Sequence, residues 1–237
     1  MNIEPIGIIR SCFGEKFAIP RQPGLCPSAW GRLLLDASLM PHESLRGIEQ
    51  FSHLWLIFGF HRHQDKAWHP TVRPPRLGGN QRVGVFASRS TFRPNGLGLS
   101  VVRLEGIDWD SKNGSTLLLG GIDLTDGTPI YDIKPYLPYA DFVSDADGGY
   151  AKQQPACLPV QVETAAQPAF AALPVRAQRT IQEAFALDPR PAIRAEDESP
   201  RVYAAKLCGH DVSFDFLDGT CRILQLRPSD DAGLLDI

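Results

Sequence analysis

The first half of the chain is a succession of short apolar runs cut by turn-forming clusters, a pattern that predicts paired strands rather than packed helices. The runs fall at residues 4–11, 53–60, 83–87, 99–104 and 116–122. Between them stand Gly78-Gly79-Asn80, Pro94-Asn95-Gly96, Lys112-Asn113-Gly114 and Asp126-Gly127, dipeptides and tripeptides that favour tight turns. Residues 53–60 contain Leu, Trp, Ile and Phe with hardly a polar side chain, as expected of a strand covered on both faces. Residues 43–51 alone suggest a helix here, with Leu45, Ile48 and Phe51 spaced along one face. The expected architecture is a β-barrel or sandwich.

Composition changes after residue 140. Residues 141–154 are acidic and glycine-rich, a stretch that can bury little and reads as a linker. Residues 168–187 then follow a helical pattern that ends at Asp188-Pro189-Arg190-Pro191, where proline denies the donors a continuing helix needs. Val212, Phe214 and Phe216 alternate with polar residues, Asp218-Gly219 is a hairpin turn, and residues 221–226 return as the partner strand. The chain is therefore expected to be mainly β, with an N-terminal barrel at residues 3–142 and a smaller α+β domain at residues 155–230.

Several chemistries find no support. The five cysteines, Cys12, Cys26, Cys157, Cys208 and Cys221, are scattered and never form a C-x-x-C pair, as expected of reduced thiols in a cytoplasmic protein. His61, His63 and His69 lie close together, with His61 and His63 on one face if the segment is a strand, but no carboxylate or cysteine completes a zinc spacing. No metal is expected. No apolar run has bilayer length, and the start lacks the pattern of a secretory signal. Gly96-Leu97-Gly98 opens like a dinucleotide loop, yet Val101 stands where the third glycine belongs and a strand, not a helix, follows. There is no P-loop and no G-x-S-x-G elbow.

Charge is more informative by position than in sum. The formal net charge is −3, but between Arg62 and Arg93 stand Arg62, Lys66, Arg73, Arg76, Arg82, Arg89 and Arg93 against the single acid Asp65. This window predicts a surface that meets anions, and guanidinium suits bidentate contact with phosphate or carboxylate. Arginine and aspartate also decorate segments stiffened by proline and glycine: Pro20-Arg21-Gln22-Pro23-Gly24, residues 71–80, residues 83–95, Asp123-Leu124-Thr125-Asp126-Gly127 and Asp132-Ile133-Lys134-Pro135-Tyr136. Rigid loops carrying charged groups are how a scaffold presents a site.

In these motifs the chain resembles the TrmO family, S-adenosylmethionine-dependent tRNA methyltransferases with a TsaA-like domain. The resemblance runs from about residue 3 to residue 142 and resumes through residues 188–194, the pattern of the bacterial two-domain form. It implies a β-barrel methyltransferase and a homodimer. It implies as substrate N6-threonylcarbamoyladenosine, beside the anticodon of tRNAs that read threonine codons. The implied cofactor contacts are Pro20, Arg21 and Gln22, then His61 and Arg62, Arg89, Leu99, and Asp123, Leu124, Thr125 and Asp126. Arg62 stands where the family pattern has glutamine, which changes a side-chain contact but not a backbone one. Gly96-Leu97-Gly98 likewise stands where Pro-Ile-Gly is the family pattern.

The chemistry suits those residue types. In methyl transfer from a sulfonium the protein must align donor and acceptor and exclude water. Asp123 or Asp126 would accept hydrogen bonds from the cofactor's hydroxyl or amino groups, and Arg21 and Arg89 would meet its carboxylate. Arg93 or Lys134 would clamp the threonyl carboxylate. Tyr136, Tyr139, Arg190 and Arg194 are candidates for stacking and phosphate contact with a single-stranded anticodon loop. Two other readings stay open at this level: a non-catalytic RNA-binding barrel, and a methyltransferase acting on a small metabolite.

Overall fold

The structure, a computed structural model, describes residues 3–63, 67–110, 114–191 and 201–229. Its first part is a closed barrel of six antiparallel strands. These are β1 (Gly7–Ser11), β2 (Trp30–Leu35), β3 (His53–Gly59), β6 (Leu97–Asp110), β7 (Gly114–Gly120) and β8 (Thr128–Pro135), in the order β1-β2-β7-β6-β3-β8. Between β3 and β6 the chain makes a two-stranded ribbon of β4 (Thr71–Val72) and β5 (Val83–Gly84). Closure comes from β1 and β8, where Gly7 faces Ile130 and Ile9 faces Thr128. Side chains alternate as the pleat requires: Leu54, Leu56 and Phe58 of β3 point into the core with Ile9, Leu33, Val102, Leu117, Leu119 and Ile130.

The short helix α1 (Pro138–Asp141) and an exposed linker lead to the second part. Its sheet has the order β10-β11-β12-β9, from β9 (Val160–Val162), β10 (Tyr203–Leu207), β11 (His210–Leu217) and β12 (Thr220–Pro228). Helices α2 (Gln167–Ala171) and α3 (Val175–Ala186) accompany it. Ala177, Ile181, Ala184 and Phe185 line one buried face of α3, and the Phe185 ring stacks on Phe214 of β11 with centroids 4.3 Å apart. The hairpin turn has Asp218 at φ 49° and Gly219 at φ 72°, the two positive values of a type I′ turn.

The two parts share one apolar core. Phe17 stacks on Phe214 at 5.9 Å, and the end of β1 runs alongside β10: Cys208 N–H donates to the Cys12 oxygen at 2.7 Å and Gly14 N–H to the Lys206 oxygen at 3.1 Å. Arg176 of α3 reaches back to the barrel, donating to the Ser28 oxygen at 2.9 Å and to both carboxylate oxygens of Glu105.

Several local expectations are corrected. Residues 43–51 are not one helix but two 3₁₀ turns, His42–Leu45 and Ile48–Gln50, because Gly47 at φ 88° turns the chain left-handed between them. Leu45, Ile48 and Phe51 still pack on the core. Residues 83–87 are a two-residue strand followed by a 3₁₀ turn, Val85–Ala87. The helix expected over 168–187 is split before Pro174, which leads into α3. β3 is fully covered on one face only; its other face borders a cleft. His61–His63 form a 3₁₀ turn, so the two histidines do not share a strand face.

Candidate active site

A cleft of about 890 Å³ opens on the outer face of β3 and β6. Pleating turns Trp55 and Ile57 of β3 and Leu97, Leu99 and Val101 of β6 toward it. Gly98 faces Phe58 in register and lets that ring lie against the β6 backbone, where even a methyl group would collide with it. The Tyr136 ring packs on Trp55 at 5.9 Å and forms another wall. Three segments cover this apolar surface with charge: the loop bearing Arg21 and Gln22, the loop bearing Ser88, Arg89 and Arg93, and the turn after β7 bearing Asp123. Arg89 donates a hydrogen bond to the Gln22 side-chain oxygen, tying two of these loops together.

Asp123 is the most perturbed acid of the cleft. Its carboxyl group is surrounded by protein on most sides yet keeps partial exposure where it meets the cleft. Ser100 Oγ donates to its Oδ1 at 2.5 Å. Burial pushes the Asp123 pKa up to about 6, against the opposing pull of the Ser100 hydrogen bond and the Arg89 charge.

Arg21, Gln22, Arg89, Arg93, Leu99, Asp123 and Tyr136 of the expected site residues line this one cleft. Pro20 is buried directly beside Arg21. His61, Arg62 and Asp126 gather instead around the end of β1. Arg62 donates to the Gly14 oxygen at 2.7 Å, and Asp126 Oδ1 accepts from Arg10 Nε and Ser11 N–H, each at 2.9 Å. The Asp126 carboxylate is thus already engaged, whereas Asp123 meets the cleft. Leu124 is buried, its oxygen accepting from Ser11 Oγ at 2.6 Å, and Thr125 closes a turn with Thr128. His61 stands by Gly127 and is held below its ordinary pKa by partial burial and by neighbouring Arg62 and Lys16.

Arg93 donates to the Val85 and Ser88 oxygens and lies 5.6 Å from the exposed Phe86 ring, so it shapes its loop as well as the cleft. Lys134 is exposed, paired with Asp132 at 2.9 Å, and does not line the cleft. Tyr139 is exposed on α1. The Arg190 guanidinium is spent internally: it makes two hydrogen bonds to Asp188 and lies 3.7 Å over the Phe216 ring. Arg194 lies outside the described residues.

Trp55, Ile57, Phe58 and Ser100 were not singled out in the sequence, and Gly98 stood out only as part of the Gly96-Leu97-Gly98 turn. The alternation of apolar residues along β6 could have placed Leu97, Leu99 and Val101 on one face. Nothing local marks Ser100 as the partner of Asp123. A second depression, of about 670 Å³, lies against the other half of β6, between Trp109, Leu104 and His42, and none of the expected residues lines it.

The cleft fits S-adenosylmethionine. Its floor of Phe58, Phe60 and Leu99 is apolar enough for a base, and the guanidinium groups of Arg21 and Arg89 on its rim suit a carboxylate. Among the described residues no cluster of three or more His, Cys, Asp or Glu side chains is arranged to hold a metal, and no helix is long and apolar enough to cross a membrane.

Comparison with known proteins extends this reading. Residues 8–142 match the family model of the tRNA-methyltransferase O N-terminal domain, and residues 155–229 match that of the TrmO C-terminal domain. The chain is 46% identical over 232 residues to a tRNA (adenine(37)-N6)-methyltransferase of Escherichia coli K12, covering 96% of this chain and 98% of that one. It is 48% identical over 219 residues to a putative S-adenosylmethionine-dependent methyltransferase, RcsF, of Pseudomonas aeruginosa, covering 91% and 92%. The crystal structure of TrmO from Pseudomonas aeruginosa superposes with a TM-score of 0.76 at 41% identity, over 96% of this chain and 98% of that one.

Proposed function

The chain belongs to the TrmO family and is an S-adenosylmethionine-dependent tRNA (adenine37-N6)-methyltransferase, and we propose that the adenine it methylates already carries a threonylcarbamoyl group. The observation behind this reading is the cleft itself, where Arg21, Arg89 and Arg93 line one apolar-floored depression and Arg89 faces the partly buried Asp123 carboxylate. Three guanidinium groups exceed what one amino-acid carboxylate needs. The surplus suits a second carboxylate, that of the threonyl group, and Arg93 is the residue assigned to it; Lys134, engaged with Asp132 outside the cleft, is the weaker candidate.

S-adenosylmethionine supplies a methyl group on a positively charged sulfur. The remaining work falls to the chain. Arg21 and Arg89 hold the cofactor's carboxylate, and Gln22 keeps Arg89 in place. Pro20, Leu99 and the turn from Asp123 through Leu124 and Thr125 to Asp126 shape its seat, with His61 and Arg62 bracing that turn from behind. Tyr136 and Trp55 exclude water and offer a ring face to the incoming base.

On this reading residues 3–142 carry out methyl transfer and residues 155–230 contact the tRNA. Arg190 serves by shape, through its backbone, and Arg194 by charge. The tRNAs are those that read threonine codons, and the compartment is the cytoplasm, which suits five unpaired thiols. A homodimer is the proposed working form, supported by exposed apolar side chains on the barrel's outer face, among them the paired Ile8 and Leu34. Light scattering after gel filtration tests the dimer.

The decisive experiment measures S-adenosylmethionine binding by calorimetry and then transfer of a labelled methyl group to tRNA with and without the threonylcarbamoyl modification. Transfer to the modified tRNA alone is expected. Equal transfer to both would remove the threonylcarbamoyl requirement.

A further inference from the structure

We propose that Asp123 takes the proton from the exocyclic adenine nitrogen as that nitrogen is methylated, with Ser100 as its positioning residue. The proposal rests on the N6-methyltransferase activity, not on the identity of the group already attached to N6.

The N6 lone pair is delocalised into the purine ring, so the nitrogen cannot gain a methyl group and keep its proton. As the N6–carbon bond forms, the carbon–sulfur bond breaks and its electron pair goes to sulfur. The N6–H electron pair stays on nitrogen, and the proton passes to a carboxylate oxygen of Asp123. One sulfonium and one carboxylate thus become a thioether and a carboxylic acid, and no other reactant is needed.

Elimination within the cleft leads to the same residue. Arg21, Arg89 and Arg93 remain protonated and accept nothing. The only carboxylates lining the cleft among the described residues are Asp123 and Asp141. Asp141 is exposed, and its Oδ2 accepts from the Leu137 N–H at 2.7 Å. His53 also lines the cleft, but its ring is joined to Ser52 at 2.9 Å and packs with Tyr136. Asp123 remains. Ser100 on β6 and the residue's own backbone N–H fix its orientation, Arg89 is the charge that faces it, and a carboxylate has four lone-pair sites, so acceptor capacity is left over. Its pKa of about 6 makes it a stronger base than a free aspartate while leaving it ionised at neutral pH.

The test uses the full chain. The Asp123 carboxyl carbon is titrated by NMR without cofactor, and single-turnover methyl transfer to tRNA is followed from about pH 5 to 8. The wild-type rate should rise through the pH at which Asp123 ionises and then level off. Asp123→Asn should lose on the order of 100-fold in rate while cofactor affinity changes by less than about threefold. Ser100→Ala removes a hydrogen bond that favours the charged form, so the NMR midpoint and the acid limb of the rate should move to higher pH together. Retention of the rate by Asp123→Asn overturns the proposal. So does a parallel loss of cofactor binding, which would make Asp123 a cofactor ligand. If Asp123→Asn does not fold, Ser100→Ala decides alone: a shifted midpoint with an unmoved acid limb rejects the assignment. Absence of methyl transfer by the wild-type chain at every pH would sink the activity itself, a different outcome from either.

Discussion

Arg21 donates a hydrogen bond to the backbone oxygen of Arg190 at 3.2 Å, across 169 residues of chain. The acceptor is held still because the Arg190 side chain is fixed by two hydrogen bonds to Asp188 and by the Phe216 ring beneath it. A cleft residue of the barrel is therefore positioned by a turn that belongs to the second part of the chain.

Asp188→Asn should weaken S-adenosylmethionine binding although Asp188 does not itself line the cleft. Asparagine tolerates the positive φ of 47° at this position, so the loss is of charge rather than backbone shape. The nearly buried Arg190 would be left without its counter-charge, at a cost of about 3 kcal/mol. Chemical denaturation and calorimetry read the two effects. Unchanged cofactor affinity in a destabilised variant would show that the Arg190 turn does not position Arg21.

Gly98→Ala should disturb the cleft floor. The new methyl group falls within the Phe58 ring, and the ring must move, at a cost of roughly 1–3 kcal/mol. Since Phe58 lines the cleft, cofactor affinity should fall with stability. Normal affinity and normal melting would mean that the ring moves aside freely.

Thiol reactivity should single out one cysteine. Cys12, Cys26, Cys208 and Cys221 are buried, and burial raises the pKa of Cys26, Cys208 and Cys221, leaving little thiolate. Cys157 alone is exposed. An aromatic disulfide reagent should titrate one thiol in the native chain, none in Cys157→Ser, and all five in the unfolded wild type. Rapid reaction of a second native thiol would contradict the packing around α3 and β10.

His61 should titrate below its ordinary value near 6.5, owing to partial burial and the positive charges of Arg62 and Lys16. A histidine whose folded pKa is lowered contributes stability in full above the unfolded value and loses it as pH falls from there through the folded value. The ring proton signal in NMR gives the midpoint, and Arg62→Ala should move it upward. A midpoint that ignores the Arg62 substitution would place that charge too far away to matter.

What could be read in the sequence was what depends on neighbours along the chain. Asp218-Gly219 specifies its hairpin because both residues accept positive φ, and the arginines between prolines in residues 71–95 announce charged, stiff loops. β8 was missed because Asp132, Lys134 and two prolines dilute its pattern; it is a strand because β1 and β3 pair with it on either side. The helical spacing of Leu45, Ile48 and Phe51 was real as an apolar face, but Gly47 decided the backbone. In the site, charged loop residues were visible. Trp55, Ile57 and Ser100 were not, since only barrel closure determines which strand face looks outward and which hydroxyl meets Asp123. Arg190 read as a nucleic-acid contact because nothing local says that a guanidinium two residues from an aspartate will fold back onto it.

The pairing of Gly7 with Ile130 also imposes a timetable on synthesis. A ribosome delivers β1 first and β8 last, so the growing chain must carry an open, curling sheet with two unsatisfied edges until Thr128–Pro135 emerges. Only then do the edges meet, and the exposed linker that follows gives the finished barrel slack while the remaining sheet is made. A nascent chain stalled before β8 would display ladder donors and acceptors to its neighbours, which makes that interval the one in which this chain most needs a chaperone.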